Sequence, residues 1–191
     1  MLVVALVGEA PNDTKSLKNL LQKKYHEIDF KVFLNNIRGS QLDEQKTKHL
    51  LRKEYQFEKP DIIIFIRDLD ALENNVEQLE IRRKYFKESN SVVNDKGIYL
   101  LNIFEIEALL LADIDCFNKI YETNILKNAD PMKIEQPKEF LKIATQKALK
   151  QFNESHNPEI FSLLNFEIVK TNCRYFNTFI NNFDKEIAIK S

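Results

Sequence analysis

The stretch Asp61-Ile62-Ile63-Ile64-Phe65-Ile66-Arg67-Asp68-Leu69-Asp70 decides the fold. Pro60 stops whatever precedes it, and the apolar, largely β-branched run that follows is too short for a core helix. A run without polar alternation is a strand covered on both faces, as in a parallel sheet between layers of helices. Leu2–Val7, Phe30–Leu34 and Gly97–Leu101 carry related patterns. Between them the spacing is helical. Leu17, Leu20, Leu21 and Tyr25 recur at i, i+3, i+4 and i+8 in a helix starting at Asp13 or Thr14. Leu42, Leu50 and Leu51 share one side of a helix from Ser40 to about Tyr55, and the charged, proline-free segment Ala71–Ser89 is a third.

The order β-α-β-α-β-α-β-α up to residue 113 predicts an α/β fold, a mostly parallel central sheet with helices on both faces. Beyond it Pro131, Pro137 and Pro158 interrupt the chain and no further strand is predicted. Pro137–Phe152 and Asn172–Phe183 read as helices. Residues 114–191 are expected to form a helical C-terminal extension packed on the 1–113 core, in a single compact unit.

Composition narrows the chemistry. The chain has 191 residues, suited to one domain, and 14 Phe with 6 Tyr supply a core. It has only 3 Gly, where average usage gives roughly a dozen. Every Gly-rich phosphate cradle is therefore excluded, and phosphate must be met by metal ions or basic side chains. A net charge of −1 excludes a nucleic-acid binder held by bulk positive charge. Cys116 and Cys173 form no CxxC and read as reduced thiols. The apolar N-terminus is too short for a membrane span and wrongly flanked for a signal peptide, so a cytoplasmic protein with no membrane partner is expected.

Ligands of an open α/β sheet bind beyond the carboxyl ends of its strands. Acidic residues follow three of those ends: Glu9 and Asp13, Asp68 and Asp70, Glu105 and Glu107. Residues two apart on an extended segment point to one side, so Asp68 and Asp70 converge if the strand runs through both. Crowded carboxylates call for a hard divalent cation, Mg²⁺ or Mn²⁺. Arg67, Arg82, Arg83 and Lys84 are candidate phosphate contacts, with the helix bearing Lys15, Lys18, Lys23 and Lys24 a further basic face. His26, His49 and His156 show no metal-ligand spacing. Phe161, Phe166, Tyr175, Phe176 and Phe179, interleaved with Leu and Ile, read as core.

Val7-Gly8-Glu9-Ala10-Pro11-Asn12-Asp13, ahead of a leucine-bearing helix, resembles the first motif of the TOPRIM domain, with Ala10 where that family usually has Gly. Asp68-Leu69-Asp70 resembles its Asp-x-Asp motif. Phe104-Glu-Ile-Glu-Ala-Leu-Leu-Leu-Ala-Asp113 is similar to a segment of the small bacterial DUF4276 family, which is TOPRIM-like, related to the OLD nucleases and associated with phage defence and mobile elements. Arg174–Ile180 matches the late aromatic segment of that family. The resemblance implies a TOPRIM/Rossmann-like sheet and Mg²⁺-dependent phosphodiester chemistry on DNA or RNA. On it, Glu9 is the general acid or base, or a metal ligand, Asp68 and Asp70 hold Mg²⁺, Asp13 serves another metal, and Glu107 matches a further acidic position, with Glu105 beside it. It also implies a protein partner such as a neighbouring ATPase. A non-catalytic metal- or nucleotide-binding regulator is the alternative. A phosphatase of the HAD type, which the Asp-x-Asp strand end also resembles, carries that motif on its first strand and leaves Glu9 without a role.

Overall fold

The computed structural model describes residues 1–9, 11–128 and 130–190. Ala10, on which the comparison with the family's glycine falls, lies outside the described residues, as do Ala129 and Ser191. Strands β1 (Val3–Val7), β2 (Asp29–Val32), β3 (Ile62–Asp68) and β4 (Gly97–Asn102) form one parallel sheet in the order β2-β1-β3-β4. Helices α1 (Asn12–Gln22), α2 (Gln45–Glu58) and α3 (Val76–Val92) make the crossovers. After β4 come α4 (Ala108–Ala112), α5 (Ile114–Tyr121), α6 (Pro137–Thr145), α7 (Asn157–Leu163), α8 (Phe166–Asn172) and α9 (Arg174–Lys190). The α/β class expected from the strand pattern is the class observed.

Alternation along the two central strands sorts the core into two layers. Val4, Leu6, Ile62, Ile64 and Ile66 face α1 and the C-terminal helices, joined there by Phe161, Phe176, Phe179 and Phe183. Ala5, Val7, Ile63 and Phe65 face α2 and α3, against Leu51, Tyr85 and Phe86. Each Val, Leu, Ile or Phe among them, removed from water, contributes about 1.5–3 kcal/mol. The late aromatic segment is thus core. Helix α9 is tied to the turn after α1 by the Tyr25 hydroxyl, which donates to Asp184 at 2.6 Å, and by the Tyr25 ring, edge-on to Phe183 at 5.0 Å.

Several boundaries differ from the sequence reading. The helix expected from Ser40 is a 3₁₀ turn, Gly39–Asp43, separated from α2 by the extended Glu44. That turn is held from the sheet by Arg67, so it does not merge with α2, and Leu50 is 42% exposed rather than core. Helix α3 starts only at Val76, where Asn75 Oδ1 accepts from the Gln78 amide. Helix α6 stops at Thr145, whose hydroxyl accepts from the Phe152 amide and so turns the chain back on itself.

At the start of β4 an added Cβ on Gly97 would lie 2.5 Å from Asn90 Oδ1 and 2.6 Å from the Phe65 ring. The Gly97 amide also donates to that Asn90 oxygen at 2.7 Å. Gly97→Ala therefore overpacks the α3–sheet layer and is expected to cost about 1–3 kcal/mol. A thermal melt checks this: the midpoint falls by several degrees, and an unchanged midpoint would contradict the packing.

Candidate functional site

A pocket of about 390 Å³ opens at the carboxyl ends of the strands. Glu9, just past β1, and Asp13, in the first turn of α1, line one side, and the Asp13 amide donates to the Glu9 carbonyl at 3.2 Å. Asp68, the last residue of β3, lines its floor, and Glu107, one residue before α4, a further wall. Arg38 enters from the loop after β2. Lys138 of α6, Glu154 and Asn157 enter from the C-terminal helices. Three acidic clusters read from strand ends thus each send a carboxylate to one cavity.

Strand parity explains which residues arrive. Asp68 continues the Ile62, Ile64, Ile66 series and emerges on the α1 side, whereas Arg67 continues the Ile63, Phe65 series and emerges on the other. Arg67 is buried, donates Nη1 to the Gly39 carbonyl at 3.1 Å and Nη2 to Asp43 at 3.3 Å, and lies over the Tyr85 ring at 4.7 Å. Gly39, with φ +28°, sits against Glu9: a Cβ there would be 3.4 Å from Glu9 Oε1. Arg67 thereby braces, from beneath, the turn that carries Arg38 and abuts Glu9.

The structure departs from the sequence expectations at six candidate residues, Asp70, Arg82, Arg67, Glu105, Arg83 and Lys84. The strand ends at Asp68; Asp70 adopts a left-handed conformation (φ 57°), and its exposed carboxylate pairs with Arg82 at 2.8 Å outside the pocket lining. Arg82 is not a free phosphate contact, because its Nε donates to the Asp68 carbonyl at 2.7 Å and its Nη2 to Asp70. Arg67 is likewise committed internally. Glu105 is held by Lys138, accepting from its amide at 3.0 Å and facing its ammonium at 3.2 Å, so Glu107 is the member of that pair lining the pocket. Arg83 is exposed and paired with Glu80, and Lys84 stands 4.0 Å from Glu88, both away from the pocket lining. Lys18 of α1 and Lys23 just past it donate to the carbonyls of Phe30 and Ser162, and Lys24 pairs with Asp184.

The carboxyls crowd one another. Burial, then the charges of Glu107 and Glu9, push Asp13 well above the ordinary carboxylate range. Burial and the Asp13 charge do the same to Asp68, against a hydrogen bond from Asn102 Nδ2 at 2.9 Å. Glu107, 4% exposed, is raised by burial, while Asn157 Nδ2, donating at 3.0 Å, opposes the shift. Burial works against the Lys138 ammonium, but Glu105 and Glu107 outweigh it and keep the lysine charged. Glu154 Oε2, buried in the pocket wall, faces the Lys142 ammonium at 3.5 Å, whereas Asn157 Oδ1, also buried, has no hydrogen-bond partner among the described residues. Leaving such an acceptor unsatisfied costs about 1–3 kcal/mol.

Clustered carboxylates and an orphaned amide oxygen are the donor set of a hard cation. No three His, Cys, Asp or Glu among the described residues are arranged to hold an ion by themselves. A cation that takes one or two carboxylates and completes its shell with water and neutral oxygens, as Mg²⁺ does, fits these residues.

Residues 9–184 match the family model described as a domain of unknown function, DUF4276. The chain belongs to that family. No curated protein and no solved structure matches it. Within this DUF4276 chain, the pocket residues that sequence reading missed are Arg38, Lys138, Glu154 and Asn157. Pro137 and Pro158 mark helix starts beside Lys138 and Asn157, but nothing local says which strand end those helices meet.

A pH dependence follows. The raised carboxyls hold protons in the folded state that the unfolded chain, with carboxyls near about 4, has released. Their contribution is present below about pH 4 and is lost as pH rises through the raised folded values. Asp13→Asn removes one of them. In metal-free thermal melts, the variant's midpoint minus the wild-type midpoint is expected to increase between about pH 5 and pH 8. A difference independent of pH would contradict the crowding.

Proposed function

We propose that this DUF4276 protein performs divalent-cation-dependent phosphodiester chemistry on nucleic acid, as a nuclease of the TOPRIM type. One observation carries the reading: carboxylates from three strand ends line one pocket with two cations, Arg38 and Lys138. Asp68 and Glu107 are the residues to hold Mg²⁺ or Mn²⁺, with water and neutral oxygens completing the shell and Asp13 beside them. When bound, such an ion neutralises phosphate oxygens and lowers the pKa of an attacking water. Arg38, which forms no ion pair among the described residues, meets the phosphate, and Lys138, paired with Glu105, adds positive charge to the same pocket. Glu9, braced by the Gly39 turn, takes the proton of the attacking water. These local cations, with the bound metal, let a chain of net charge −1 receive a polyanion without a basic surface.

The similarity to TOPRIM motifs supports the same reading and favours a cytoplasmic role in phage defence or on mobile elements, with a neighbouring ATPase as partner. The free thiols of Cys116 and Cys173 agree with a reducing compartment. No helix among the described residues is long and apolar enough to cross a membrane. One observation favours the alternative of a binding regulator: Asp70, the second half of the Asp-x-Asp motif, is paired with Arg82 rather than lining the pocket.

The test is purified protein incubated with DNA and with RNA, with Mg²⁺, Mn²⁺ or EDTA. Cleavage is expected only with the metal, abolished in Asp68→Ala and reduced about 10²–10⁴-fold in Glu9→Ala, the usual scale for losing a general base. Nucleic-acid binding without cleavage across those metals would support the regulator instead.

A further inference from the structure

Asn157 opens α7 and is 1% exposed. Its amide has a defined orientation. Nδ2 donates to Glu107 Oε1 at 3.0 Å, which only the nitrogen end can do for a carboxylate, so Oδ1 is the opposite end. That oxygen is closed to solvent and has no donor among the described residues. The residue lines the cavity shared by Asp13, Asp68 and Glu107. The surroundings are rich in acceptors, so what the amide oxygen lacks is a positive partner. Lys138, the pocket's ammonium, faces Glu105 instead.

We propose that Asn157 Oδ1 is a ligand of a divalent cation held in this pocket together with Glu107, which makes the C-terminal helices part of the metal site. The proposal rests on the reading of the pocket as a cation site and adds to it a neutral ligand from a segment outside the strand ends. Amide oxygens are ordinary ligands of hard cations. A neutral donor also suits this position, since a further carboxylate would add to the repulsion among Glu9, Asp13, Asp68 and Glu107. The same side chain carries two jobs. Nδ2 holds Glu107, and Oδ1 completes the shell.

The experiment is a Mn²⁺ titration followed by electron paramagnetic resonance, with metal-free thermal melts as a check of folding. The proteins are wild type, Asn157→Leu, Asn157→Asp and Glu107→Gln. Wild type is expected to bind Mn²⁺, and Asn157→Leu to bind it about tenfold or more weakly, the loss of about 1.4 kcal/mol. Asn157→Asp separates the two jobs, because it keeps an oxygen but loses the donor to Glu107. Its metal-free midpoint is expected to fall while its Mn²⁺ affinity is kept or rises. If both variants lose affinity alike, Asn157 only positions Glu107 and the ligand assignment is overturned. If Asn157→Leu binds as wild type does while Glu107→Gln is weakened, the oxygen meets only water, and the assignment fails while the cation site stands. If wild type binds no Mn²⁺, both the assignment and the cation site fail.

Discussion

Strand β3 is hydrogen-bonded on both edges, to β1 and to β4, and buried on both faces, so its register admits no slip. Everything at the candidate site depends on that constraint. Its alternation sends Ile62, Ile64, Ile66 and then Asp68 to one layer, and Ile63, Phe65 and then Arg67 to the other. A shift of one residue would exchange them, burying a carboxylate against Tyr85 and placing a guanidinium among Asp13 and Glu107. Arg67, within this strand, and Arg82, from α3, fix its end. One holds the Gly39 turn, and the other holds the Asp68 carbonyl and Asp70.

The second governing term is electrostatic. Several carboxyls share a cavity too small for their charges, and Asp13 and Asp68 respond by holding their protons more tightly. A folded protein carries such a conflict when something offsets it. Lys138 offsets part of it, and Asn157 donates to Glu107, but the donor set still exceeds the cations that the chain itself supplies. That excess is the physical basis for the proposal that the pocket takes a divalent cation.

The sheet was legible because continuous apolar runs and proline stops are local signals. That Glu9, Asp13, Asp68 and Glu107 share a pocket is legible because each follows a strand end of one parallel sheet. Asp70 was not, since two-residue spacing guarantees a shared face only while the backbone stays extended, and it turns left-handed there. The arginines were misread for a related reason. A basic residue beside an acidic one looks free in sequence, whereas Arg82 lies 14 positions from Asp68, which it contacts only through the α3 crossover. Asn157 and Lys138 reach the site from 50 and 33 positions beyond Glu107 and Glu105, distances across which periodicity carries no information.

The central claim is that Asp68 and Glu107 hold a common divalent cation. Crystals soaked in Mn²⁺ and measured for anomalous scattering test it most directly. The account predicts a peak in the pocket within about 2.5 Å of a carboxylate oxygen of each residue, the contact range of hard cations. Manganese found only at surface carboxylates, with the pocket free of any peak, would contradict it.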